Sequence, residues 1–260
     1  MEEQLRIGAV DDEPFDRARR IGWLDLDAVF RTKVLMVGAG ALGNEVGKNL
    51  VLSGFRHVTV VDMDHVMGSN LNRCLFFSRV DVSRRSPKAE VVARGMNALS
   101  EHANVESISS TIEELDEGLY RVHDIILGCL DNIPTRLHVN SRSYRFGKTL
   151  IDGGMEGFVG RVFVANPPNG ACIQCGMNKS HAKVANLRFS CTGKDVVFHE
   201  PRLPAEITTT SVISAIMVRE CLKFVSGRTD MMLSNAFFYD GQRNVSEELE
   251  FDIDPLCPNH

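Results

Sequence analysis

Between residues 33 and 62 the chain carries a pattern that few folds accommodate. An apolar run, Lys33-Val34-Leu35-Met36-Val37, is followed at once by Gly38-Ala39-Gly40-Ala41-Leu42-Gly43. A helix-like segment comes next, then a second apolar run, His57-Val58-Thr59-Val60-Val61, that ends on Asp62. A short apolar run feeding a glycine turn and a helix reads as a strand buried on both faces. Gly38 permits the sharp turn out of the strand, Gly40 lets the backbone approach a phosphate, and Gly43 lets the helix pack on the sheet. The free N–H groups at a helix start favour an anion. Asp62 falls about 20 residues beyond the turn, where a carboxylate can accept hydrogen bonds from ribose hydroxyls. A glycine-rich turn that binds nothing is the competing reading of the glycines alone.

The remainder continues the alternation of strand and helix. Residues 16–30 read as one or two short helices, 33–37 as a strand, 42–53 as a helix stopped by Gly54, and 57–62 as the second strand. Ser86 is a good N-cap and Pro87 fits the first helical position of a helix running to Leu99. Strands at 105–109, 124–128 and 149–152 and a helix at 133–146 follow. This order predicts an α/β, Rossmann-like, doubly wound and mainly parallel sheet. After Asp152 the texture changes. Residues 153–157 read as a turn, 158–165 as an antiparallel strand, 167–204 as a long functional loop, 208–225 as a helix closed by Gly227, and 235–239 and 248–253 as strands. The expected organisation is one domain over 1–260 with an antiparallel C-terminal extension. Residues 1–32 form its helical lead-in, 33–152 a nucleotide-binding half, and 153–260 a second half.

Twenty-nine basic residues against 34 acidic ones leave a net charge of -5, which gives no electrostatic reason to expect nucleic acid or an anionic membrane as partner. Apolar segments are short and interrupted, and the start, Met1-Glu2-Glu3-Gln4, lacks the apolar stretch of a secretory signal. Seven cysteines, an odd number in a chain of 260 residues, point to a reducing compartment, the cytoplasm, with metal-binding or reactive thiols rather than a disulfide framework.

Past Asp62 come Ser69-Asn70-Leu71-Asn72-Arg73 and Ser86-Pro87-Lys88. Arg73 can fork onto phosphate oxygens. Lys88 sits in the first turn of its helix, a poor place for a cation unless it faces an anion; a solvated surface lysine is the alternative. Both cations favour a nucleoside triphosphate over a nicotinamide dinucleotide.

Taken together, these strings resemble the ubiquitin-activating enzyme superfamily, which includes the ThiF/MoeB-like activators of sulfur carriers and the catalytic subunit that activates the modifier NEDD8. The likeness runs from about Arg31 to the C-terminus. It rests on Asn49-Leu50-Val51-Leu52-Ser53-Gly54-Phe55-Arg56, Val61-Asp62-Met63-Asp64, the Asn70 to Arg73 string, Ile151-Asp152-Gly153-Gly154, Glu156-Gly157-Phe158 and Pro201-Arg202-Leu203-Pro204. The resemblance implies adenylation of the C-terminal glycine of a ubiquitin-like or sulfur-carrier protein. It places Gly38, Gly40 and Gly43 under ATP, Asp62 on the ribose with Asp64 in the same site, and Asn70, Arg73 and Lys88 on the triphosphate. Asp131 would support Mg2+ and Asn132 would touch the nucleotide; an N-cap is the other reading of Asp131. Cys74 stands where relatives usually carry glutamine. Some relatives use an arginine from an N-terminal helix, often across a dimer. Arg17, Arg19 and Arg20 are the candidates here, with a solvated face as the alternative.

The thiols divide into three groups. Cys172-Ile173-Gln174-Cys175 is a metal-type knuckle that Cys257-Pro258-Asn259-His260 can complete, and three thiolates with one imidazole suit tetrahedral Zn2+. A matching family site usually has four cysteines. A redox pair is the alternative, although the surrounding elements are not thioredoxin-like. Cys191, in the loop at about 176–207, resembles the family cysteine that takes the activated modifier as a thioester, with Arg188 and Lys194 placed to favour its thiolate. Cys74, Cys129 and Cys221 read as core thiols.

Four functions compete on this reading: adenylation followed by thioester transfer, adenylation for thiocarboxylate formation, a nicotinamide-dependent oxidoreductase, and a nucleotide-binding scaffold without activity. The first implies a conjugating enzyme as partner, and either of the first two a homodimer or heterodimer.

Overall fold

Val34 and Met36 point into one hydrophobic core while Leu35 and Val37 point into another, and all four are essentially inaccessible to solvent. A strand that buries both faces belongs at the centre of a covered sheet, which explains why its sequence does not alternate. In a computed structural model of the chain, residues 13–177 and 204–260 are described. The expected thioester cysteine, Cys191, lies outside them, as do Arg188 and Lys194.

The strands are β1 (Lys33–Val37), β2 (His57–Val61), β3 (Asn104–Ile108), β4 (Ile125–Gly128), β5 (Thr149–Glu156), β6 (Val159–Ala165), β7 (Ala236–Asp240) and β8 (Val245–Leu249). They form one sheet in the order β3-β2-β1-β4-β5-β6-β7-β8. Pairing is parallel from β3 through β5 and antiparallel from β5 through β8, as the sequence predicts. The helices are α1 (Asp16–Arg19), α2 (Leu26–Arg31), α3 (Ala41–Leu52), α4 (Arg79–Arg84), α5 (Lys88–Asn97), α6 (Gly118–Val122), α7 (Ile133–Phe146) and α8 (Ile207–Val225). Side chains of α3, α5 and α8 fill the core on one face, and those of α6 and α7 the core on the other, which makes the sheet doubly wound. Glu45 and Asn49 of α3 meet Ser211 and Ser214 of α8 at 3.1 Å each. No helix among the described residues is long and apolar enough to cross a membrane.

Three expectations need correction, and one element was not foreseen. Residues 153–156 are not a turn: β5 runs through them, paired with β6 from Gly153↔Val162 to Glu156↔Val159, and only Gly157 (φ 59°) and Phe158 reverse the chain. The glycines are there for room, because a Cβ on Gly153 would strike Met217 and Leu42. The final strand lies at Val245–Leu249, earlier than expected, because residues 241–244 form a tight turn that sets its register as Asp240↔Val245. Pro87 occupies the N-cap of α5 in place of Ser86; a bridge between His65 and Pro87 holds the entry extended. Helix α4 was unforeseen, although Ser78 and Asp81 cap it reciprocally.

Order reverses between β1 and β4, so their carboxyl ends open a crevice at the switch point of the sheet. Gly38 shapes that crevice: its φ is 103°, and a Cβ there would collide with the Cys129 carbonyl beyond β4. Gly38→Ala is expected to destabilise the protein by about 1–3 kcal/mol, read as a lower midpoint in urea unfolding. An unchanged midpoint would show that the turn tolerates a side chain.

Candidate functional site

The glycine turn leaves β1 and enters α3 with Gly40 as N-cap, and no side chain caps that helix start. Its first amides are therefore available to an anion. A Cβ on Gly40 would meet nothing within 4 Å, so the space above the turn is open. Gly43 does packing work instead, since a Cβ there would collide with the Gly38 carbonyl. Asn44, fully buried, holds the turn in shape. Its Nδ2 donates to the carbonyls of Ala39 (3.1 Å) and Gly40 (2.9 Å), and its Oδ1 accepts from Phe76 N at 2.9 Å. Sequence reasoning missed Asn44, whose partner Phe76 lies outside its own helix.

Asp62 stands at the end of β2 beside the turn. Its two carboxylate oxygens accept from Ala39 N (2.7 Å) and Asp64 N (2.8 Å). Burial raises its pKa, against the pull of Lys88 and these amides. Lys88 begins α5 with a largely covered side chain. Its Nζ lies 2.7 Å from Asp64 Oδ2, and its backbone N–H donates to the Asp64 carbonyl at 2.8 Å. Burial works against the ammonium, but Asp62, Asp64 and Asp131 overcome it and raise the Lys88 pKa. Asp131 is thereby brought from the end of β4 into the field of the same lysine. It is not the N-cap of α7: Asn132 is, accepting from Thr135 N at 2.9 Å.

Arg73 lies in the crossing segment after β2. Its Nη1 donates to the Ser69 carbonyl (2.5 Å) and to Asn72 Oδ1 (3.0 Å). Asn70 uses its Oδ1 to accept from Met67 N at 2.9 Å, so it shapes this segment. Cys74 is buried between these groups, and desolvation pushes its thiol to about 11. Cys129 and Cys221 are buried and free, and burial raises both thiols, as expected of core cysteines.

Beneath the crevice lies a buried ion pair that the sequence did not disclose. Arg136 of α7 pairs with Asp152 of β5 and also donates to the carbonyls of Gly153 (3.1 Å) and Leu130 (2.5 Å). Burial raises the Asp152 pKa, opposed by Arg136 and Arg161.

Cys172, Cys175, Cys257 and His260 come together as the knuckle pattern predicts, with their ligand atoms all within 4.8 Å of one another. The Cys172 sulfur is 3.7 Å from Cys175 Sγ and 3.5 Å from Cys257 Sγ, close to the roughly 3.8 Å expected between thiolates on a tetrahedral zinc. Burial opposes the Cys172 thiolate, but hydrogen bonds from Asn140 and Asn259 bring its pKa down to about 7. The His260 ring packs edge-on against Tyr144 at 4.7 Å. These four residues can hold a metal ion.

Arg17 is not brought to the crevice. Phe15, next to α1, packs on Phe30 with centroids 5.2 Å apart, and a Cβ on Gly54 would meet both rings. Gly54 follows the far end of α3, so α1 sits at the opposite end of the sheet from the glycine turn. Arg19 pairs with Glu13 and Arg20 with Asp16.

A family model described as ThiF family matches residues 15–259. The chain belongs to the ThiF family. It is 37% identical over 207 residues to the NEDD8-activating enzyme E1 catalytic subunit of Caenorhabditis elegans, covering 73% of this chain and 46% of that protein. It is 32% identical over 235 residues to the sulfur carrier protein adenylyltransferase of Thermus thermophilus, covering 88% of this chain and 82% of that protein. The chain thus spans less than half the length of the NEDD8-type relative. The crystal structure of E. coli MccB with ATP matches with a TM-score of 0.72 at 22% identity, over 90% of this chain and 68% of that one, which shows the shared fold.

In this ThiF-family chain, removing Arg136 takes away the hydrogen-bonded partner of the buried Asp152 carboxylate and leaves only the field of Arg161. Arg136→Ala is expected to cost about 3–5 kcal/mol of stability, measured by urea unfolding. A loss below about 1 kcal/mol would mean that Asp152 finds another partner or a proton at no cost.

Proposed function

We propose that this ThiF-family chain activates the C-terminal carboxylate of a ubiquitin-like or sulfur-carrier protein with ATP. The observation that carries this reading is the convergence at one crevice of the uncapped start of α3, the open space over Gly40, and Lys88 amid Asp62, Asp64 and Asp131. A helix start and an ammonium suit polyphosphate, and exposed carboxylates suit the magnesium that travels with it. The substrate is MgATP, with Asp62 toward the ribose, Arg73 and Lys88 toward the triphosphate, and Asp131 toward the metal.

In the reaction, a carboxylate oxygen of the terminal glycine attacks the α-phosphorus, the bond to the bridging oxygen breaks, and pyrophosphate leaves with the electron pair. The products are an acyl adenylate and pyrophosphate. The chain's own contribution is positioning and charge neutralisation in a preformed site. Arg73 is held by Ser69 and Asn72 through Nη1, which leaves the other guanidinium nitrogens to reach a phosphate.

The next step has two forms. In one, the Cys191 thiolate attacks the acyl carbon and AMP leaves, giving a thioester for a conjugating enzyme; the likeness to NEDD8-activating subunits favours it. In the other, the adenylate is consumed in forming a thiocarboxylate on a sulfur carrier, which the likeness to the Thermus protein favours. We place the enzyme in the cytoplasm as a homodimer or heterodimer. Since α1 lies far from its own crevice, Arg17 would serve the site of a partner. Zinc fits the Cys172, Cys175, Cys257 and His260 cluster by donor type and spacing. Bound there, it would tie the C-terminal residues to the knuckle as a structural ion.

ATP–pyrophosphate exchange against a panel of small β-grasp proteins ending in Gly-Gly tests the reading. One of them should support exchange, and Lys88→Ala or Asp131→Ala should lower the rate about 10²-fold or more. Wild-type rates in both variants would refute the site. Cys191→Ala should abolish a thiol-sensitive adduct while exchange continues, if the thioester form is right. Elemental analysis should find one zinc per chain, lost together with thermal stability in Cys172→Ser. A metal-free wild type of equal stability would remove zinc from the account.

A further inference from the structure

One stripe of side chains on α7 runs from the crevice to the cysteine cluster. Arg136, Asn140 and Tyr144 follow one another at four-residue intervals, which stacks them along one side of a helix over about 12 Å. At the crevice end, Arg136 pairs with Asp152 and holds the Leu130 carbonyl at 2.5 Å, one residue before Asp131. Asp131 acts on Lys88, and Asn132 then caps the helix. At the other end, the Tyr144 hydroxyl donates to the Gly170 carbonyl at 2.5 Å, and its ring meets His260. Asn140 lies between the two.

Asn140 is completely buried. Its Oδ1 accepts from Ile173 N at 3.0 Å, inside the Cys172–Cys175 knuckle, and that bond fixes which way the amide faces. Its Nδ2 is buried without an oxygen acceptor and acts as a donor toward the Cys172 sulfur. A buried N–H with no oxygen to serve is costly. A thiolate bound to a metal ion is a fixed negative acceptor, so this donor suits a metal-bound cluster. Cys172 also receives Asn259 Nδ2 at 3.5 Å, but Asn259 sits between two of the ligands, Cys257 and His260. Asn140 reaches the sulfur from the helix that also bears Arg136.

We propose that Asn140 is a positioning residue that ties the metal cluster to the crevice, so that a metal ion on Cys172 sets where the first turn of α7 stands. This rests on the zinc reading and goes beyond it, because it gives the ion an effect on the crevice as well as on the C-terminal residues. With its amide clamped between Ile173 and a metal-bound sulfur, α7 resists sliding along its axis. Arg136, one turn earlier, then stays on Leu130 and Asp152, and Asp131 stays in the field of Lys88.

Hydrogen exchange with and without zinc tests the tie. In wild type, zinc should slow exchange about fivefold or more in the first turn of α7 as well as in the knuckle. The first turn of α5, on the opposite face of the sheet, should change little. In Asn140→Ala, zinc should still slow exchange in the knuckle but no longer in α7. Asn140→Ser, whose hydroxyl is too short to serve both Ile173 and the sulfur, should do the same with less disturbance of the core. Cobalt in place of zinc reads the donor itself. Its sulfur-to-metal charge-transfer band should shift in both Asn140 variants and much less in Tyr144→Phe, which loses a bond to a backbone carbonyl rather than to sulfur. Zinc affinity, read by chelator competition, should fall about 10-fold to 100-fold in the Asn140 variants. Wild-type zinc protection that is equal in α5 and α7 would mark a global effect and overturn the proposal. An unshifted cobalt band in both Asn140 variants would overturn it too. If the wild type takes up no zinc, the zinc reading itself falls, an outcome distinct from the other two.

Discussion

Everything at the crevice depends on how closely β1, β4 and α3 approach one another. Gly38 lies against the Cys129 carbonyl, and Gly43 lies against the Gly38 carbonyl. No side chain fits in either gap. This contact lets α3 begin directly over the end of β1, with its first amides aimed across the switch point rather than into a side chain. The site is thus built first from backbone, and the charged residues are arranged around it.

Those charges fall into two layers with different physics. Arg136 and Asp152 are buried, so their pairing mainly avoids the penalty of a stranded ion and fixes where β5 stands relative to α7. In the Lys88–Asp64 pair the lysine is largely covered and the carboxylate is about half exposed, so the carboxylate is the partner that can move toward solvent. A scaffold fixed from below and exchangeable from above is what a site needs if it must bind and release a polyanion without losing its shape.

Much of this was legible in the chain itself. The strand, glycine turn and Asp62 were readable because each obeys a local rule, and α7 has the bounds its capping residues and closing glycine predict. The knuckle at Cys172 and Cys175 was readable for the same reason, through spacing alone. Elsewhere the deciding interaction was distant. Gly153 and Gly154 read locally as a turn, yet they continue a strand through their pairing with Val162 and Arg161, and they are glycine because Met217, Leu42, Arg136 and Arg161 crowd the space where side chains would go. The role of Arg136 depends on a partner 16 residues away and on another element. Asn44 depends on Phe76, 32 residues on, which periodicity cannot foresee.

Asn44 has a mechanical consequence. A single buried amide grips the floor of the crevice through two carbonyls and the wall through one N–H. Floor and wall cannot drift apart without stranding three hydrogen-bonding groups where water does not reach. The spacing between the start of α3 and the segment bearing Arg73 is therefore set during folding, and an arriving ligand finds a gauge already cut to one width.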